Sequence, residues 1–212
     1  VCTCLNPLHT SLAVFGCLLG FHRISDEMKD ADLKRLVEII GYKEGLPVVT
    51  DPVILNPKEF IDTVLNVRIP NPFMPDTPQR IATDTSQKLP IRFGETIKAY
   101  ENSPEFKTSD LKLIPLVLAG WLRYLMAVDD NGKPFELSPD PMLKILCPIL
   151  ASVHLGDECS VEKILHPILE DPNIFGVDLY EAGLAIPVCS YFSEMIKGTG
   201  AVRDTLKKYV WL

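Results

Sequence analysis

The sequence predicts an all-α fold, and three observations carry that prediction. Helix-start signals recur at short intervals, most of them a capping residue followed by proline, whose missing N–H costs nothing at the first helical position. Apolar residues recur at spacings of three and four, the period of one buried helix face. Strand alternation is nearly absent: Val48 to Leu55 has extended character, but Pro47 and Pro52 argue against a central strand.

Taken in order, the cap-plus-proline pairs are Asn6-Pro7, Asn56-Pro57, Thr77-Pro78 and Ser138-Pro139, and Glu59, three residues after Asn56, resembles the second half of a capping box. The apolar run Leu12 to Phe21 is a buried helix, too short to span a bilayer and closed off by His22, Arg23 and Asp26. After Ser25, Asp26 and Glu27 suit the positive end of a helix dipole, and Leu33, Leu36, Val37 and Ile40 form the buried stripe of an amphipathic surface helix ending at Gly41. Phe60, Ile61, Val64 and Leu65 repeat the period, as do Leu118, Leu122, Leu125 and Met126. Further helices are predicted over about 89–102, 142–154, 161–169, 180–197 and 201–210, with Pro115 and Pro187 kinking or dividing two of the patterns. Three prolines between Ile69 and Thr77 define a rigid loop, a suitable place for a pocket.

The chain has 212 residues, 47% hydrophobic and 23% charged, which is the balance of a globular protein with its own core. With no repeat and no Gly/Ser linker, residues 1–212 read as one helical domain. The net charge is −7, from 21 basic and 28 acidic residues without a concentrated basic block, which argues against nucleic acid as a partner. Neither a membrane span nor a signal-peptide pattern is found, so no membrane partner is expected. The six cysteines (Cys2, Cys4, Cys17, Cys147, Cys159 and Cys189) form neither a zinc-like double pair nor a compact disulfide framework. Their scatter through apolar runs suits buried thiols in a reducing cytosol, so a cytoplasmic protein without a metal is expected. The chain begins at Val1 rather than Met and is apolar at once, as if inside a packed element, so it reads as a fragment.

Two segments carry chemistry: C-L-N-P-L-H-T from Cys4, and N-P-F-M-P-D-T-P-Q-R-I-A-T-D-T-S-Q-K-L-P from Asn71. Asn6 and His9, three apart at a helix start, can point the same way, and their N–H groups would stabilise an oxygen gaining negative charge as a carbonyl accepts hydride. The structural alternative makes Asn6 an N-cap and His9 a satisfied polar residue of the first turn. Arg80, Asp84 and Lys88 stand at successive spacings of four, one polar face if the segment is a continuous helix, although Lys88 beside Leu89-Pro90 is also placed to reach into a cleft.

These segments resemble the signatures of the long-chain mannitol dehydrogenase and fructuronate reductase family. Asn6 and His9 match an asparagine and histidine at a helix start in its C-terminal domain. Asn71, Pro72, Asp76, Thr77, Arg80, Ala82, Thr83, Asp84, Ser86, Lys88 and Pro90 fall in register on a second signature, and D-P-N-I-F-G-V-D-L from Asp171 is similar to a third. The resemblance implies the multi-helical C-terminal substrate domain of a two-domain dehydrogenase. It implies that an N-terminal Rossmann domain of the same parent chain, absent here, holds most of NAD or NADP; no Gly-rich fingerprint follows a strand in this sequence.

By the same resemblance Asn6 and His9 are catalytic, stabilising the oxyanion, while Arg80 and Lys88 bind a sugar acid or polyol. The chain departs from the family five residues before Asn6, where the catalytic lysine is expected and Val1 stands. Either that lysine lies upstream or the protein lacks it. The implied reaction interconverts a keto-sugar acid and its polyol acid, fructuronate and mannonate, with Arg80, Lys88 and Arg92 as cations for a carboxylate. Oxidation of mannitol to fructose is the alternative within the family. A helical interaction domain, keeping the signature residues only as caps and ion pairs, is the alternative from another class.

Overall fold

The computed structural model describes residues 3–50, 53–157 and 160–212. Among the described residues thirteen α-helices follow in order: α1 Asn6–Leu19, α2 Ile24–Glu27, α3 Ala31–Ile39, α4 Pro57–Thr63, α5 Pro78–Ala82, α6 Thr85–Leu89, α7 Glu95–Glu101, α8 Leu113–Tyr124, α9 Leu143–Leu150, α10 Glu162–Leu169, α11 Pro172–Phe175, α12 Ala185–Met195 and α13 Ala201–Val210. Among the described residues the only β pairing is an isolated bridge, Val128 with Pro134, so the all-α prediction holds. No helix among the described residues is long and apolar enough to cross a membrane.

Helix α8 is the axis of the fold. Every residue from Leu113 to Tyr124 is buried, so its sequence is apolar all round rather than striped. Helices α1 and α12 pack on it, α13 closes behind α12 and α3, and α5 lies against α1. Where α8 begins, the buried Glu44 carboxylate accepts hydrogen bonds from Lys112 N (2.8 Å), Leu113 N (2.7 Å) and Ile114 N (2.8 Å), three donors that a helix start leaves without intrahelical partners. Where α8 ends, the fully buried Arg123 donates to the carbonyls of Met195 (3.3 Å), Val128 (2.5 Å) and Asp129 (3.2 Å).

Two of the four predicted caps act as caps. Asn56 accepts from Lys58 N and Glu59 N, and Thr77 accepts from Arg80 N. Asn6 does not: it is already helical, and Leu5 precedes it without a side-chain cap. Ser138 starts no helix, because its hydroxyl donates to Gln79 O at 2.7 Å and the next helix waits until Leu143. The helix predicted after Ser25 starts instead at Ala31, where Asp30 accepts from Asp32 N and Leu33 N; Ser25 and Glu27 belong to the separate turn α2. Pro115 and Pro187 sit in the first turns of α8 and α12, where no donor is missed, so neither kinks its helix. The helix predicted over 180–197 is shorter, because Asp178 takes Tyr180 N and Glu181 N into a turn before α12.

Glu27 corrects its sequence reading most sharply. Rather than opening the helix after Ser25 it ends the separate turn α2 and is fully buried, both carboxylate oxygens lack a hydrogen-bond partner among the described residues, and it occupies space that a Cβ on Gly16 would invade at 2.2 Å. Burial, with the neighbouring Asp30 charge, pushes its carboxyl well above the usual glutamate range. At low pH, folded and unfolded chains both carry the proton. As pH rises past the unfolded value, about 4.3, only the unfolded chain releases it, and stability falls until the folded group also ionises. Glu27→Gln is therefore expected to stabilise the protein by about 1–3 kcal/mol near pH 7, with the gain vanishing below about pH 4. Urea unfolding across that range checks it, and a gain independent of pH would contradict the burial of an ionisable proton.

Among the described cysteines, Cys4, Cys17, Cys147 and Cys189 are free thiols, and all but Cys147 are buried. Burial pushes Cys17 up to about 12, which leaves it an unreactive apolar side chain. Cys2 and Cys159 lie outside the described residues.

Candidate active site

Asn6 and His9 stand on the first turn of α1, three residues apart and both half-buried. The start of this helix is fixed by its apolar body, since Leu8, Leu12, Phe15 and Leu18 are buried in the core. Thr10 and Ser11 turn their hydroxyls back to Asn6 O (3.1 Å) and Pro7 O (2.8 Å). Neither the Asn6 nor the His9 side chain has a hydrogen-bond partner among the described residues, so their donors are open to a ligand. Burial lowers the His9 pKa; Asp76 opposes this, and Arg92 and Arg68 add to it. His9 is therefore a neutral imidazole at pH 7, with one N–H to donate.

The second signature does not form the continuous helix that would give Arg80, Asp84 and Lys88 one face. The chain breaks between α5 and α6, with Asp84 in the left-handed region at φ 52°, ψ 36°. Arg80 pairs with Asp76 at 2.8 Å rather than with Asp84, and its side chain is 66% exposed. Lys88 also ignores Asp84: Nζ turns back across the break to donate to the carbonyls of Ile81 (3.0 Å) and Thr83. An ammonium has three N–H groups, so one remains for a ligand. Burial lowers the Lys88 pKa, the neighbouring Arg92 adds to this, and Asp84 and Asp140 oppose it.

Arg92, a candidate cation for a carboxylate that no family signature position matches, joins the two segments. Its guanidinium donates to Thr10 Oγ1 at 2.6 Å and contacts Asn6 O at 3.4 Å, and its charge acts on both His9 and Lys88. It sits in a π-turn, Pro90–Gly94, within the helix predicted over 89–102, which is helical from Leu89 to Glu101. Pro90 explains the turn: inside an α-helix its ring would clash with the carbonyl four residues back, and the wider π geometry relieves the clash. Arg68 likewise ends a π-turn, Val64–Arg68. A lysine and an arginine four apart, Lys88 and Arg92, with a proline between them, was the available signal for this cation pair.

The third signature is structural. Gly176, at φ 83°, passes so close to the π-turn that a Cβ there would meet Pro90 O at 3.0 Å, and a Cβ on Gly94 would meet Phe175 O at 2.3 Å. Phe175 in turn packs edge-on to Trp121 of α8, with ring centroids 6.0 Å apart. The motif thus ties the Arg92 turn to the core. Val1, which stands where the family resemblance places a lysine, lies outside the described residues.

Asn6 and His9 thus stand at one helix start without side-chain hydrogen-bond partners among the described residues, beside Arg92, whose charge also acts on Lys88. The chain belongs to the mannitol dehydrogenase C-terminal domain family, which it matches over residues 2–189. It is 57% identical to the D-mannonate oxidoreductase of Thermotoga maritima over 210 residues, 99% of this chain and 39% of that protein. It is 30% identical to the mannitol 2-dehydrogenase of Neosartorya fischeri over 206 residues, 97% of this chain and 38% of that protein. Its fold matches a chain of the Pseudomonas fluorescens mannitol 2-dehydrogenase ternary complex with NAD and D-mannitol, at a TM-score of 0.82 and 20% identity, over 98% of this chain and 39% of that one. The chain therefore spans about two fifths of the length of these relatives.

Proposed function

We propose that this chain is the substrate-binding and catalytic half of an NAD(P)-dependent oxidoreductase that interconverts fructuronate and mannonate. One observation supports the choice of an acidic substrate: the Arg92 charge acts on both His9 and Lys88, and Arg68 adds to it at His9, where Asp76 opposes them. A carboxylate can pair with Lys88 and Arg92 through charge-assisted hydrogen bonds, which a terminal hydroxymethyl group cannot do. The 57% identity to a D-mannonate oxidoreductase supports the same reading.

The described residues contain no strand-to-helix glycine turn for a pyrophosphate, so the cofactor's main contacts belong to a Rossmann domain outside this chain. Reduced nicotinamide, when bound there, supplies the hydride. The residues of this chain act on the substrate oxygen. As its carbonyl carbon becomes tetrahedral the oxygen gains negative charge, and the N–H groups of Asn6 and His9 donate to it. The third N–H of Lys88 and the guanidinium of Arg92 hold the carboxylate. Arg80 remains a substrate-binding residue in this reading, its exposed guanidinium shared between Asp76 and a substrate hydroxyl.

Lys88→Met in the full-length enzyme tests this. The loss of one charge-assisted hydrogen bond is worth about 1.5–3 kcal/mol, so kcat/KM for fructuronate is expected to fall about tenfold to a hundredfold, with helical signal and NADH affinity retained. Rates with fructose separate the substrate classes. If only the fructuronate rate falls, Lys88 reads the carboxylate. Equal falls would favour a hydroxyl contact and a polyol substrate, and no fall would remove Lys88 from the site.

A further inference from the structure

The break between α5 and α6 is held by a segment far away in sequence. Asp84 occupies the N-cap position of α6 but makes no side-chain cap, and its left-handed backbone is a conformation that non-glycine residues seldom keep without support. The support is the strap Ser138-Pro139-Asp140. Pro139 O accepts Asp84 N at 2.8 Å, Ser138 Oγ donates to Gln79 O at 2.7 Å, and Asp140 accepts Ser86 N at 2.7 Å and Ser86 Oγ at 2.5 Å. The strap itself is tied to the core, because Ser138 N donates to the Tyr124 hydroxyl of α8 at 2.8 Å. Asp140 thus supplies, from 54 residues away, the N-terminal cap that α6 lacks locally.

Lys88 hangs from the other end of this five-residue helix, and its ammonium reaches back to the carbonyls of Ile81 and Thr83 that the break leaves open. Its position therefore depends on the break staying as it is. We propose that Asp140 is a positioning residue of the active site: by capping α6 through Ser86 it holds the left-handed turn at Asp84 and so aims Lys88 at the substrate. This rests on the reading of Lys88 as a substrate contact. The Asp140 charge also acts on Lys88 in the direction that keeps its ammonium protonated, against burial and the repulsion of Arg92.

The test is a double-mutant cycle in the full-length enzyme with fructuronate and NADH. Asp140→Ala is expected to lower kcat/KM about tenfold or more, chiefly through KM, because a displaced binding group weakens substrate contact. Asp140→Asn should recover most of that loss, since its amide oxygen can accept Ser86 N–H and its NH₂ can donate to Ser86 Oγ. In the Lys88→Met background Asp140→Ala should cost less than about twofold more, because the residue it positions is already gone. Equal losses in both backgrounds, or none in either, would overturn the proposal. If Asp140→Ala does not fold, Ser86→Ala removes the hydroxyl bond to Asp140 while the backbone N–H stays capped, so a smaller loss of kcat/KM is expected, again absent in the Lys88→Met background.

A readout independent of turnover separates this proposal from the assignment of substrate. Acylation of the lysine amines by acetic anhydride, followed peptide by peptide, should be several times faster at Lys88 in Asp140→Ala than in the unsubstituted protein, with the other lysines unchanged. An unsubstituted enzyme inactive on fructuronate would refute the function while this labelling still tests the strap. Unchanged labelling of Lys88 would refute the strap whatever the substrate.

Discussion

Replacing His9 by alanine in the full-length enzyme is expected to lower kcat for keto-sugar reduction by about a hundredfold to a thousandfold, the usual loss when one preorganised oxyanion donor is removed. Asn6→Ala should do the same, and the double substitution should cost little more than either alone if both donors serve one oxygen. In the proposed role the expected split is in kcat rather than KM, because the charge to be stabilised would appear only as hydride arrives. Neither side chain has a partner among the described residues that its loss would orphan, so helical content and thermal stability should change little. His9→Gln, which keeps an N–H near the same place, should recover part of the rate. If His9→Ala and Asn6→Ala both leave kcat intact, the pair is only the first turn of a buried helix, as the structural alternative holds.

The second large effect concerns stability. Arg123→Met keeps the length of the side chain and removes the donors that three backbone carbonyls share, those of Met195, Val128 and Asp129. Leaving such groups buried and unpaired is expected to cost about 3–5 kcal/mol, and the junction between α8, the end of α12 and the 128–130 turn should loosen first. The consequence extends to α13, because Asp130 in that turn accepts Val202 N at 2.8 Å and Arg203 N at 3.1 Å where α13 begins. Urea unfolding measures the loss, and hydrogen exchange should locate it around α12 and α13. A change below about 1 kcal/mol would mean that water or a shifted backbone satisfies those carbonyls.

Local signals made the fold class legible. Asn56 and Thr77 announce α4 and α5 because a cap bonds a backbone N–H two or three residues on, which lies within reach of a sequence pattern. The register of the second signature was equally legible, yet its shape was not. A spacing of four between Arg80, Asp84 and Lys88 implies one face only if the helix is continuous, and nothing between them announces a break. The break comes from bonds formed elsewhere: Asp84 N goes to Pro139 O, and Asp140 takes Ser86. Lys88 consequently points at carbonyls instead of at Asp84.

By itself, then, the sequence determined an all-helical chain and its family, and it placed Asn6 with His9 on one turn, since propensity, capping and helical period act over about four residues. Tertiary structure alone decided that Glu27 is buried, that Glu44 caps α8 from 68 residues away, and that Arg92 reaches Thr10 across 82 residues to join the two halves of the site. The physical reason is that a polar group removed from water must find a partner wherever the fold brings one, and that partner's place in the sequence leaves no periodic trace.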